Sequence, residues 1–272
     1  MAGDLAASRA VSIWRLLAEH AAGRRTAASV VDVCAVCIAT VGMSGAAVTV
    51  RMSGAAVTAL AKSGSAAQSG SGPGHVMCVT DAVSERLEEL QLTLGEGPGV
   101  DASADGAPVL VPDLDADDVA FRWPAFGPAA RTAGAAAVFA LPLQIGAISV
   151  GVMDLYRRRP GPLTAGQLGD ALVFADTATV LLLDRQDRAA AAAGGGTGPA
   201  GQPRELALHR AEIDQATGML TEQLGVGIEE AFVRLRAYAY AHDRRLADVA
   251  SELVARTLRM GPGPSPRHDG AA

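Results

Sequence analysis

Residues 243–258, DRRLADVASELVARTL, follow QATGMLTEQLGVG at 215–227 and EEAFVRLRAYAY at 229–240, and together these segments read as three short amphipathic helices. Ile213, Ala216, Leu220 and Leu224 fall on one stripe at helical spacing, and Gly225 stands where a helix end favours a left-handed residue. Ile228, Ala231, Phe232, Leu235 and Ala239 draw a second stripe, and Leu246, Val249, Ala250, Leu253 and Thr257 a third. Three such stripes can close one small core. The small residues Ala216, Gly218, Ala231, Ala239 and Ala250 are expected at the contacts, since helix separation depends on side-chain size there.

Upstream of this module the pattern is mixed. Thr26 to Thr40 places Val30, Val33, Cys34, Cys37 and Ile38 on one helical face, with Thr26 as the expected cap. The segments MSGAAVTVR (43–51) and MSGAAVTAL (52–60) are nearly identical. Two units are too few for a solenoid, so they are read as one strand plus a local duplicate. His75 to Val79 suggests a strand, Thr80 to Leu92 a helix, GEGPG (95–99) a turn, Pro108 to Val111 a short strand and Asp113 to Ala125 an acidic loop. Ala136 to Leu143 and Ala147 to Tyr156 then make a hairpin around 144–146. Thr164 caps a long helix running through Leu183.

The fold class is therefore α+β, an antiparallel sheet with packed helices followed by a small all-α three-helix domain. Two low-complexity stretches punctuate it: SGSAAQSGSGPG (63–74), an exposed loop, and AAAAAGGGTGPAGQP (189–203), a flexible linker. The expected boundaries are 10–188 for the first domain, 189–203 for the linker, 204–260 for the helical domain and 261–272 for a disordered tail.

With 272 residues, 49% of them hydrophobic, the chain can bury a sizeable core. Its net charge of −6 excludes a globally basic surface, so any contact with phosphate must depend on local placement. The start, MAGDLAASRAVSIWRLL, carries an acid where a signal peptide needs positive charge. The apolar run Ala171 to Leu183 is short for a membrane span. A cytoplasmic protein with no membrane partner is expected, and three cysteines in a reducing compartment are expected to remain thiols.

The segments SERLEELQLTLGEGPGVDA, PVLVPDL, RWPAF and AVFALPLQIGAISVGVMDLYRRRPGPLT, within residues 84–164, resemble the GAF domain of actinobacterial GAF-ANTAR regulators. QATGMLTEQLGVG through LADVASELV resembles their ANTAR domain. The resemblance implies a GAF-like sensor built on a six-stranded antiparallel sheet, then an ANTAR-like three-helix domain that binds RNA as a transcription antiterminator. The implied RNA partner is a pair of hairpin loops in a nascent transcript, engaged by a homodimer. An unidentified small-molecule ligand is expected in a pocket facing the sheet of the first domain. In many relatives the position of Gly99 is cysteine, and its absence here argues against thiol sensing at that turn.

Within the helical domain, Arg234 and Arg236 flank the second stripe, while Arg244 and Arg245 open the third helix, whose free N–H groups favour phosphate. Tyr238 and Tyr240 lie beside them, with His242, and aromatic faces next to guanidinium groups suit unstacked loop bases. These six residues, Arg234, Arg236, Tyr238, Tyr240, Arg244 and Arg245, are the candidate RNA contacts. The competing reading pairs Arg234 with Glu230 and Arg256 with Glu252 and packs the tyrosines on the core. Two other functions remain open, a DNA-binding regulator, because three helices also build helix-turn-helix domains, and a ligand-binding or dimerisation protein without nucleic-acid activity.

Other candidates are weak. Cys34 and Cys37 form CxxC, but on a helix both face the core; His75 and Cys78, three apart on a strand, face opposite ways and make a poor metal site. Asp113, Asp115 and Asp117 open like a calcium loop but lack its glycine and closing glutamate. GEGPG lacks the residues of a P-loop. No catalytic set, metal site or cofactor is expected, and hence no enzyme.

Overall fold

The computed structural model describes residues 2–50, 75–146, 148–192 and 204–261. They divide into two compact units, Met1–Pro203 and Arg204–Ala272. The first contains α1 (Ala2–Arg24), α2 (Val30–Val41), β1 (Gly45–Val50), β2 (His75–Val79), α3 (Ala82–Leu94), α4 (Pro98–Asp105), β3 (Val109–Val111), α5 (Asp117–Arg122), α6 (Phe126–Ala133), β4 (Ala137–Ile145), β5 (Ile148–Arg157) and α7 (Ala165–Ala192). The second contains α8 (Arg204–Leu224), α9 (Ile228–Ala241) and α10 (Leu246–Val254).

Among the described residues the sheet has five strands in the order β2-β1-β5-β4-β3, every neighbouring pair antiparallel. The family resemblance implies six. The second MSGAAVT copy and the 63–74 stretch lie outside the described residues, as do 193–203 of the expected linker and the tail from 262. The first copy supplies β1.

Both faces of this sheet are covered, which is why AVFALPL reads as a continuous apolar run rather than an alternating one. Ala137, Phe139, Leu141, Met153 and Leu155 enter a core with α1, α2 and α7. Val138, Ala140, Val152 and Tyr156 point the other way, into a second core with α3 to α6. The two-residue side-chain period of a strand sorts them.

Caps set several boundaries. Helix α2 begins after Ser29 rather than Thr26, because the Asp32 carboxylate accepts from the Ser29 N–H and Oγ at 2.9 and 2.6 Å. Asp32 is fully buried and receives Arg24 at 2.5 Å. At α7 the expected cap is present, with the Gln167 N–H donating to Thr164 Oγ1 at 3.2 Å. That helix continues to Ala192, past the expected start of the linker at 189. Over Ala165–Arg185 it is long and apolar enough to cross a membrane, which the run 171–183 alone was not. Ala171, Phe174, Ala175, Ala178 and Leu182 nevertheless lie buried in the first core.

The acidic stretch from Asp113 is not all loop. Asp117 and Asp118 occupy the first turn of α5, where the helix dipole favours negative charge. The GEGPG segment does more than turn. Gly95, at φ 71°, ends α3, and Pro98 opens α4. Between them Glu96 reaches across to accept the N–H groups of Ala125 and Phe126, both at 2.7 Å, at the start of α6.

In the second unit Ile213, Ala216, Leu220, Ala231, Leu235, Ala239, Leu246, Val249, Ala250 and Leu253 are buried as the three stripes require. Gly225 takes φ 65° and ends α8. Three expected positions fail. Ile228, the first residue of α9, is 53% exposed; Thr257 lies beyond the end of α10 and is exposed; and Gly218 is exposed, with nothing within 4 Å of where a Cβ would stand, so it is not a helix contact.

Candidate nucleic-acid interface

Burial of Ala231, Leu235 and Ala239 fixes the rotation of α9 and so decides where its flanking residues point. At 3.6 residues per turn, Arg234 and Arg236 are separated by about 200° around the helix axis. The six candidate residues therefore do not form one cluster. Arg234 and Tyr238 share one flank of the core stripe; Arg236 and Tyr240 share the other.

On the first flank the Tyr238 ring stacks on His242, with centroids 4.0 Å apart and planes inclined by 22°. His242 Nδ1 lies 2.8 Å from the Tyr238 carbonyl oxygen, which holds the imidazole at the end of α9. The chain then turns through Asp243, at φ 48°. The Arg244 N–H donates to the Ala239 carbonyl at 2.9 Å, and its side chain comes close enough to feel Tyr238.

Arg244 donates through both terminal nitrogens to the Glu252 carboxylate, at 2.9 and 2.6 Å. This bidentate fork raises the guanidinium pKa and lowers that of Glu252, the hydrogen bonds being the largest cause in each case. Arg234 pairs with Glu230 at 2.6 Å. The competing reading thus holds for Arg234, whereas Glu252 takes Arg244 in place of Arg256. A partner eight residues away across a turn leaves no helical-spacing signal in sequence.

On the second flank Arg236 lies 5.7 Å from the Phe232 ring centroid, and Tyr240 is 62% exposed. Arg245 occupies the N-cap of α10, where no side chain caps the free N–H groups. The unit thus offers a stacked aromatic pair beside a forked arginine, and on its other flank an open tyrosine beside a cation. These are surfaces for a base and for a phosphate.

The family model for the ANTAR domain matches residues 203–254, from one residue before α8 to the last residue of α10. The C-terminal unit is an ANTAR domain. No curated protein matches the chain at a significant level. Among solved structures the chain is similar to the GAF domain from a phosphoenolpyruvate-protein phosphotransferase (ptsP) of Coxiella burnetii, at 12% identity and a TM-score of 0.46 over 66% of this chain and 98% of that one. It is also similar to the GAF-B domain of DevS from Mycobacterium smegmatis, at 22% identity and a TM-score of 0.36 over 57% and 93% of the respective chains. The ANTAR domain follows a unit with an antiparallel sheet and packed helices, the fold class expected from the sequence.

In the GAF-like unit preceding the ANTAR domain, a side chain at Gly99, in the first turn of α4, would press on the ends of two buried polar side chains. A Cβ there would stand 2.6 Å from Asp154 Oδ2 and 2.8 Å from Gln91 Oε1. The Gly99 N–H instead donates to Gln91 Oε1 at 2.6 Å, and Gln91 donates on to Asp154 at 3.2 Å. Glu88, also buried, accepts from Thr49 Oγ1 at 2.6 Å. Polar side chains thus occupy the space between α3 and the sheet. A cavity of about 320 Å³ lies at the sheet edge, lined by Val109, Leu110, Asp113, Asp118, Arg122 and Trp123 among others.

The three aspartates that open like a calcium loop serve structure. Asp113 Oδ1 accepts the Asp115 N–H, Asp115 pairs with Arg131 at 2.6 Å, and Asp117 begins α5.

Proposed function

We propose that the chain is an RNA-binding transcription antitermination regulator. Its ANTAR domain would engage paired hairpin loops of a nascent transcript as a homodimer, and its GAF-like unit would respond to a small ligand. The protein would work in the cytoplasm, without a membrane and without catalysing a reaction. The observation that carries this reading is the coincidence of the ANTAR match with a three-helix unit that has Arg244 beside the stacked Tyr238 and Arg245 at the N-cap of α10. A module that is nearly neutral overall reaches phosphate through such local placement, and aromatic faces take unstacked bases.

A gel-shift series with hairpin RNA, duplex DNA and scrambled RNA of equal length tests it. Hairpin RNA should be retained at the lowest protein concentration. Preference for duplex DNA would replace the reading with a DNA-binding regulator, and retention of neither would leave an interaction protein. Replacing Arg244 and Arg245 together by Ala should weaken hairpin binding and flatten its salt dependence while helicity is unchanged.

A further inference from the structure

The end of α9 carries a side chain that the six candidate contacts leave out. His242 is the C-cap of α9, and its backbone N–H donates to the Tyr238 carbonyl oxygen at 3.2 Å. The imidazole folds back onto the same carbonyl, with Nδ1 2.8 Å from that oxygen. It also lies against the Tyr238 ring, with centroids 4.0 Å apart and planes 22° from parallel. A hydrogen bond at one corner and a stack along one face fix how the ring is turned, yet the residue is exposed.

The partner of Nδ1 decides which ring nitrogen carries the proton. A carbonyl oxygen can only accept, so Nδ1 is the donor, and in the neutral ring Nε2 is then an acceptor. No hydrogen bond to Nε2 is made among the described residues. The two nitrogens of an imidazole point apart, so the Nε2 lone pair is directed away from the helix end.

This makes His242 different in kind from the arginines near it. Arg234, Arg236, Arg244 and Arg245 carry guanidinium groups, which donate and never accept. Arg234 donates to Glu230 and Arg244 to Glu252. A tyrosine hydroxyl can accept, but it rotates and sets no direction. Unstacked loop bases are read through hydrogen bonds on their edges. Where adenine and cytosine carry an exocyclic amino donor, guanine and uracil carry a carbonyl acceptor. A lone pair facing a carbonyl leaves both acceptors unsatisfied, so a fixed acceptor selects the amino group.

We propose that His242 reads a base, its Nε2 accepting a hydrogen bond from the exocyclic amino group of an adenine or cytosine in the RNA loop while Tyr238 holds the imidazole in place. Resting on the RNA-binding function proposed above, this role adds a requirement for one kind of base. It also gives a use to the turn that follows. Asp243 adopts φ 48°, a left-handed conformation uncommon outside glycine, and the Arg244 N–H returns to the Ala239 carbonyl at 2.9 Å. A donor for phosphate is thereby brought back to the helix end that bears the base acceptor.

The test uses the full chain and the hairpin RNA of the gel-shift series, titrated by fluorescence anisotropy at about pH 8, where an imidazole is neutral. Each loop adenosine is replaced in turn by purine riboside, and each loop cytidine by its 4-deamino analogue, so that only the amino group is lost. One such replacement should weaken wild-type binding about tenfold, the size of one hydrogen bond. In His242→Asn the amide can still meet the Tyr238 carbonyl at the place of Nδ1, but nothing stands at the place of Nε2. That variant should bind the parent RNA about tenfold more weakly, and the same replacement should cost nothing further. His242→Gln, which carries its amide out to the place of Nε2, should keep the dependence, with circular dichroism checking that the helices are intact. A wild-type chain that binds the hairpin but is indifferent to every loop amino group would overturn the proposal, whatever the variants do. Equal behaviour of the Asn and Gln variants would also overturn it, and a uniform loss with a flatter salt dependence would make His242 a phosphate contact instead. Failure of the wild type to bind hairpin RNA at all would be a different result, removing the RNA-binding function itself.

Discussion

Glu252→Gln is the most direct probe of the ANTAR surface, because in the folded domain Glu252 occupies both terminal nitrogens of Arg244. The pair is solvent-facing, with side-chain exposures of 33 and 43%, so its loss should change stability little. Its effect on RNA should be larger. A phosphate that uses Arg244 must first displace the carboxylate, and the substitution removes both that competitor and its negative charge. The domain's described residues carry eight arginines against nine acids, and the substitution makes those numbers equal.

One additional phosphate contact steepens the slope of log K against log salt by about 0.7 to 0.9. Any gain in affinity should therefore be about threefold larger at 50 mM than at 200 mM salt. The assay is a hairpin-RNA titration by fluorescence anisotropy across that range, with circular dichroism as the control for fold. Arg244→Ala in the Glu252→Gln background should abolish the gain. An unchanged affinity and slope in Glu252→Gln, with the fold intact, would show that Arg244 does not meet phosphate and that the fork is structural.

Two further expectations concern the GAF-like unit. Gly151→Ala places a Cβ 2.2 Å from the Thr49 carbonyl oxygen and 2.9 Å from Val50 Cα; both are backbone atoms at the centre of the sheet, so β5 must move. The cost should be about 3 kcal/mol, read as a lower denaturant midpoint; a loss under about 0.5 kcal/mol would mean that the sheet yields easily. The second concerns the Tyr156 hydroxyl, which donates to Asp81, the N-cap of α3. Burial and then this bond push the tyrosine up to about 12. Because its folded value exceeds the ordinary 10.0, its contribution is intact below pH 10 and fades between 10 and 12. Burial alone would raise Asp81, but Tyr156, Ser84 and Arg158 outweigh it and hold the carboxyl below 3.8, so its contribution is lost as pH falls below that value. Tyr156→Phe should flatten the alkaline limb of stability against pH, and an unaltered limb would remove this hydroxyl as its cause.

Helical spacing made the ANTAR core legible, since one stripe per helix suffices when each helix buries a single face. Ile228 misled because a first-turn residue can match the period and still have nothing packed over it. The arginines were visible as residue types but not as a surface. The 100° step between neighbours sends Arg234 and Arg236 to opposite flanks, and the partner of Arg244 sits across a turn. In the GAF-like unit the strands were readable from apolar runs. The helices α5 and α6 were not, because the Glu96 carboxylate at the start of α6 comes from a distant turn.

The packing at Gly99 constrains the order in which this protein can change. Asp154 and Gln91 fill the volume that a side chain at position 99 would need, so a single substitution to cysteine meets an occupied site. Either those side-chain ends shift and give up their hydrogen bonds, or one of the two side chains shortens first and leaves the space open. The substitutions are therefore epistatic, and mutational scans started from this sequence and from an Asp154→Ala background should rank position 99 differently.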